Sequence, residues 1–182
     1  MTISEVAVSD PHAGQEPEAV GPLLPPGFLR HPIHLLAFGF GSGAASRAPG
    51  TWGSLAAIPL YFLFFWVPTP VYWLVVLVAL LVGIWLCGRT AAHLGVHDHS
   101  GIVWDEFVGM WIVLGLHPET WQGVLVAFLL FRLFDVAKPW PIGWLDRRLP
   151  GGFGIMMDDV VAGLMALAGL YLLDATLIPF AL

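Results

Sequence analysis

Charge is what this chain has least of. Asp, Glu, Lys and Arg supply 11% of its 182 residues, against roughly 25% in a soluble domain. Hydrophobic residues supply 58%, so an ordinary water-soluble protein is excluded and an integral membrane protein expected. Basic runs are also missing. The seven Lys and Arg are scattered, which leaves nothing to follow a nucleic-acid backbone. The single cysteine, Cys87, permits neither an internal disulfide nor a cysteine metal cluster. No basic-then-apolar leader opens the chain, so the first apolar helix is expected to direct membrane insertion.

What the chain has instead is long apolar runs and nine Trp, a residue that anchors well at lipid–water boundaries. Residues 1–28 read as a disordered tail rich in Pro, Gly and acids. Glu5, Asp10, Glu16 and Glu18 there account for much of the net charge of −6. Residues 29–182 read as one membrane domain. Helices are expected near residues 55–66, 71–87, 103–116, 121–135 and 156–173. Thr51 or Ser54 would cap the first, with Pro49 and Gly50 ending whatever precedes it. The three glycines of Gly39-Phe40-Gly41-Ser42-Gly43 predict a tight turn or a close backbone approach. The fold class is therefore all-α, a polytopic bundle of about five helices. Threaded up and down from a cytoplasmic N-terminus, it places Arg30, Arg47, Arg89, Arg132, Lys138, Arg147 and Arg148 at the cytoplasmic end. Three of the helices are short for the roughly 20 residues of a full span.

That threading gathers polar groups at one membrane face. Asp98, Asp105 and Glu106 precede or open the third helix. Arg132 and Asp135 end the fourth, and Asp158 and Asp159 open the fifth. Adjacent acids in the apolar run Ile102-Val103-Trp104-Asp105-Glu106-Phe107-Val108-Gly109-Met110-Trp111 need a cation, a metal or water as partner. Such a carboxylate set suits a hard divalent cation such as Mg²⁺, completed by a phosphate. Blander roles stay open: helix-start acids favoured by the dipole, an Arg132–Asp135 ion pair, and Lys138, Arg147 and Arg148 as topology signals. Asp146 reads as a solvated loop acid, and His97 and His99 as loop histidines or metal ligands. The turn holding Thr51, Gly53 and Ser54 could bind phosphate through backbone amides. Cys87 has Arg89 two residues on, the wrong spacing for a cysteine phosphatase. Neither an Asp-x-Asp-x-Thr stretch nor a Walker pattern occurs. Metal-assisted attack by water remains.

Read in order, Pro49-Gly50-Thr51-Trp52-Gly53-Ser54, the Asp105-Glu106 run, Phe131-Arg132-Leu133-Phe134-Asp135-Val136-Ala137-Lys138-Pro139-Trp140-Pro141 and Gly154-Ile155-Met156-Met157-Asp158-Asp159 resemble the bacterial phosphatidylglycerophosphatase A family. The likeness runs from about residue 30 to 170. It implies an inner-membrane, Mg²⁺-dependent phosphatase converting phosphatidylglycerophosphate to phosphatidylglycerol and phosphate, with a membrane phospholipid as its partner. Its implied catalytic acids are Asp105, Glu106, Asp135, Asp158 and Asp159. Metal ligands would come from Asp98, Asp105, Glu106, Asp158 and Asp159, and phosphate contacts from Arg132, Lys138, Thr51, Gly53 and Ser54. Family members can carry Lys-Asp-Pro where this chain has His97-Asp98-His99, so no role carries over to the histidines. Two other classes share the composition: a small cation transporter or channel, and a metal-dependent phospholipid head-group transferase.

Overall fold

Proline and glycine divide the apolar runs into helices. The computed structural model describes residues 24–176. Its α-helices are α1 Pro32–Ala37, α2 Pro49–Phe64, α3 Thr69–Leu94, α4 Trp104–Leu114, α5 Trp121–Ala137, α6 Ile142–Arg148 and α7 Gly151–Thr176. The described residues contain no strand. The five expected helices correspond to α2, α3, α4, α5 and α7, with α3 and α7 longer than their apolar cores. Gly95 ends α3 in the left-handed conformation, as helix-terminating glycines do. Thr120 caps α5 by accepting the Gly123 N–H at 3.1 Å.

Two expectations are corrected. Pro49 opens α2 rather than ending an earlier element, because a proline at the first helical position gives up no needed N–H. Neither Thr51 nor Ser54 caps that helix. Ala48 is the cap residue without a side-chain bond, and the Ser54 hydroxyl donates back to the Gly50 carbonyl at 2.9 Å. The expected tail, residues 1–28, lies outside the described residues up to residue 23. Residues 24–28 turn into a short 3-10 segment, Phe28–Arg30, and the Phe28 ring is buried and stacked on His34 at 4.2 Å.

α4 is the centre of the molecule. Residues 107–114 are all buried, and α7, α2, α3 and α5 pack around them. Indole N–H groups hold α4 in place: Trp104 donates to the Ala79 carbonyl of α3 and Trp111 to the Ala57 carbonyl of α2, each at 3.0 Å. At 11 residues α4 is about 16 Å long, half the roughly 30 Å of a bilayer's hydrocarbon. Among the described residues, two helices are long and apolar enough to cross a membrane, Thr69–Leu94 and Gly151–Ala175. α2 and α5, at 16 and 17 residues, fall a little short.

Glycine sets the closest approach. A Cβ on Gly163 of α7 would lie 2.6 Å from the Gly109 carbonyl oxygen of α4, and one on Gly109 would lie 2.9 Å from the Asp159 carbonyl oxygen. Only small residues permit such a crossing. The outer faces are apolar: α3 exposes Leu74, Leu77, Leu81 and Trp85, and α5 exposes Leu125, Leu129 and Leu133.

Candidate active site

The first turn of α4 is held from two sides. The Val103 N–H donates to the Ala37 carbonyl at 2.9 Å, tying the start of α4 to the end of α1. The glycine-rich turn Gly39–Ala44 supports it. A Cβ on Gly43 would run into the Gly101 carbonyl, and one on Gly39 would lie 2.8 Å from Val103. The close backbone approach expected of these glycines is thus to the entry of α4. Gly53 of α2 packs against Val103 in the same way, 2.7 Å from its Cβ. What reads as a phosphate-binding turn is therefore also a seat for α4.

Seated like this, α4 points Asp105 and Glu106 at α7. Asp105, Glu106 and Asp159 each offer an oxygen within 4.8 Å of the others. Asp159 is only 3% exposed and the Glu106 side chain 12%. Glu106 Oε2 is buried without a hydrogen-bond partner. Three carboxylates this close, one oxygen left unanswered, make a strongly anionic socket. Its all-oxygen donor set fits a hard divalent cation.

Two cations border the socket. Arg132 Nη1 lies 2.6 Å from Asp135 Oδ2, 4.0 Å from Glu106 Oε1 and 3.4 Å from the Ser54 hydroxyl. The i,i+3 pair with Asp135 thus orients a guanidinium whose other contacts reach α4 and α2. Gly50 approaches the same place: a Cβ there would collide with Glu106 Oε1 and lie 3.2 Å from Arg132 Nη1. Lys138 ends α5 with φ 41° and ψ 53°, a left-handed conformation that costs a non-glycine residue about 1 kcal/mol. Its Nζ lies 2.6 Å from Asp158 Oδ2 and 2.8 Å from Asp146 Oδ1. Burial alone would lower the Lys138 pKa, but the bonds and charges of Asp146 and Asp158 outweigh it and raise the pKa above the usual lysine value.

The expected acids therefore sort into three groups. Asp105, Glu106 and Asp159 converge. Asp135 and Asp158 each bind a cation beside them. Asp98 is exposed in the α3–α4 loop, outside the converging trio. Thr51 stands in the first turn of α2, and Gly53 and Ser54 are buried. Two participants were not foreseen. Asp146, expected in solvent, lies in α6 and grips Lys138; Gly50, expected as a breaker, lies against Glu106. Of the loop histidines, His97 is exposed, and His99 is buried with Nδ1 accepting the Gly101 N–H at 2.9 Å. His99 shapes the loop before α4.

The family model described as Phosphatidylglycerophosphatase A matches residues 35–174, a stretch that includes every residue of this cluster. The chain belongs to the phosphatidylglycerophosphatase A family. A phosphatidylglycerophosphatase A of Escherichia coli (strain K12) is 52% identical over 144 residues, covering 79% of this chain and 84% of that protein. Another, from Haemophilus influenzae, is 51% identical over 140 residues, covering 76% of this chain and 86% of its own length. No solved structure matches the chain. The geometry above therefore describes a phosphatidylglycerophosphatase A family fold through its own contacts.

Proposed function

We propose that this chain is a membrane-embedded, Mg²⁺-dependent phosphomonoesterase that hydrolyses phosphatidylglycerophosphate to phosphatidylglycerol and phosphate, in phospholipid biosynthesis. One observation carries the reading: in a member of this family, carboxylates from α4 and α7 converge within 4.8 Å between two oriented cations.

Asp105, Glu106 and Asp159 are the residues that would hold Mg²⁺, with Asp98 and Asp158 as further donors at its edge. When bound, the ion supplies Lewis-acid stabilisation to a phosphoryl oxygen and makes water a better nucleophile. Arg132, aimed by Asp135, would hold phosphoryl oxygens through the guanidinium donors left over from its protein contacts. Lys138, fixed by Asp146 and Asp158, adds a second positive charge that is already in place before substrate arrives. The first turn of α2, with Gly50, Thr51 and Ser54, brings the positive end of a helix dipole to the same spot, and Gly53 lets it come close. In the reaction the water oxygen bonds to phosphorus and the ester P–O bond to the glycerol breaks. A carboxylate of the cluster accepts the water proton, and the departing glycerol oxygen takes up a proton. Because the cations are oriented beforehand, little reorganisation is needed as charge builds on the phosphoryl oxygens.

The same reading places the protein in the bacterial inner membrane as a multi-pass bundle. α3 and α7 cross it, and the exposed leucines of α3 and α5 face lipid. Trp66 and Trp121 at one end, and Trp52 and Trp140 at the other, are well exposed, where indoles suit the interfaces. With the basic residues taken to mark the cytoplasmic side, the acid cluster would lie on that side, at the level of a lipid head group.

The test is phosphate release from phosphatidylglycerophosphate in detergent micelles. Release should require Mg²⁺, stop with EDTA and return when Mg²⁺ is restored. Release that continues in EDTA would refute the metal assignment. Absence of release from folded protein with Mg²⁺ would refute the activity.

A further inference from the structure

Away from the acid cluster, one concavity gathers an arginine and three histidines with no acid among them. It lies between α1 and the last two turns of α3, encloses about 390 Å³ and is lined by His31, Ile33, His34, Arg89, Ala92 and His93. His34 is its fixed point, 5% exposed. Its Nδ1 lies 3.0 Å from Thr90 Oγ1 and its Nε2 2.7 Å from His93 Nδ1. Its ring is stacked on Phe28 at 4.2 Å, with the His31 ring 5.0 Å away. Arg89, His31 and His93 are exposed around it. Arg132 and Lys138 are each neutralised by carboxylates, whereas Arg89 forms no ion pair among the described residues.

A bare topology signal would need only Arg89 at this end of α3. It would not need a concavity, a buried histidine bonded at both ring nitrogens, or two further histidines around it. An arginine at a recess concentrates positive potential there, and its fork, joined by ring N–H donors of His31 and His93, matches the oxygens of a phosphoryl group. We propose that this pocket is a second phosphate-binding site, distinct from the acid cluster, which takes either the phosphodiester of an anionic phospholipid or free phosphate. The lipid source rests on the membrane reading above, which sets the end of α3 at head-group depth; the phosphate chemistry does not.

Full-length protein in a neutral detergent provides the test. Native mass spectrometry reads retained phosphatidylglycerol against phosphatidylcholine, and thermal protection reads added lipid or inorganic phosphate. Wild type should prefer phosphatidylglycerol over phosphatidylcholine or be protected by phosphate. R89Q, and R89Q/H93N as a second variant, should weaken that binding about tenfold or more, with R89K retaining part of it. Lipid binding lost in these variants assigns the pocket to a head group; phosphate protection lost with no lipid preference assigns it to the free ion. D105N should leave the binding in place, and R89Q should release phosphate from substrate within about twofold of wild type. Binding unchanged by R89Q and R89Q/H93N would overturn the proposal, as would binding abolished by D105N.

Discussion

At the residue scale, Glu106 shows what kind of site this is. A carboxylate oxygen shut away from water without a donor is costly, and two more carboxylates stand within reach. D105N, E106Q and D159N are each expected to lower phosphate release by about a hundredfold to a thousandfold. The thermal midpoint in EDTA should hold or rise, because each change relieves repulsion among like charges. Kinetics beside a melting curve would check this; a lost fold would mean the acids are structural. The acid pair was legible in the sequence because two charges in an apolar run have no bland explanation that is also cheap. Asp146 and Gly50 were not. An acid directly before Arg147 and Arg148 reads as solvated until α6 folds and carries it to Lys138. The place of Gly50 depends on how α2 meets α4, which no local pattern encodes.

At the scale of elements, the pairing of α4 with α7 decides whether the trio assembles. G163A puts a methyl group against the Gly109 carbonyl and should cost about 1–3 kcal/mol. Asp159 would be pushed from Asp105 and Glu106, so activity should fall along with the melting temperature. Unchanged values of both would show that the crossing tolerates a wider gap. α1 offers a second case. Burial, then the charges of His93 and His31, lowers the His34 pKa below 6.5. An unfolded chain with an ordinary histidine then binds more protons, so stability falls as pH drops through about 6.5 and on toward the folded value. His117, half-buried in the α4–α5 connection, has its pKa lowered by burial and acts in the same direction. Melting temperatures between about pH 8 and pH 5 should decline in wild type and less steeply in H34F, which keeps a ring against Phe28. The long helices could be read from hydropathy, but α1 and α6 could not. Six or seven residues give too few turns for a period to show, and each is held by tertiary contacts such as Val103 to Ala37.

At the scale of the molecule, the burial of α4 separates the competing readings. A cation channel needs a polar path through the bundle, yet residues 107–114 at its centre are apolar and buried. The converging acids Asp105, Glu106 and Asp159 lie at one end of α4 and α7, as a head-group enzyme requires. Sidedness can be measured in cells. Cys87 is buried, so a C87A background is silent to an impermeant maleimide. E119C should label from outside in spheroplasts, and R147C only after lysis. The reverse pattern would invert the proposed orientation.

The trio has a further consequence, in time. A ribosome delivers α4 well before α7, so two acids reach the membrane before their companion exists. A half-length helix carrying them is a poor candidate for independent insertion, since its 11 residues cannot span the roughly 30 Å of hydrocarbon. α4 must wait at the surface, or lean on α2 and α3, until α7 arrives with Asp159. The proposed metal centre is thus completed only after α7 has followed α4, and a chain interrupted between the two would carry Asp105 and Glu106 without Asp159.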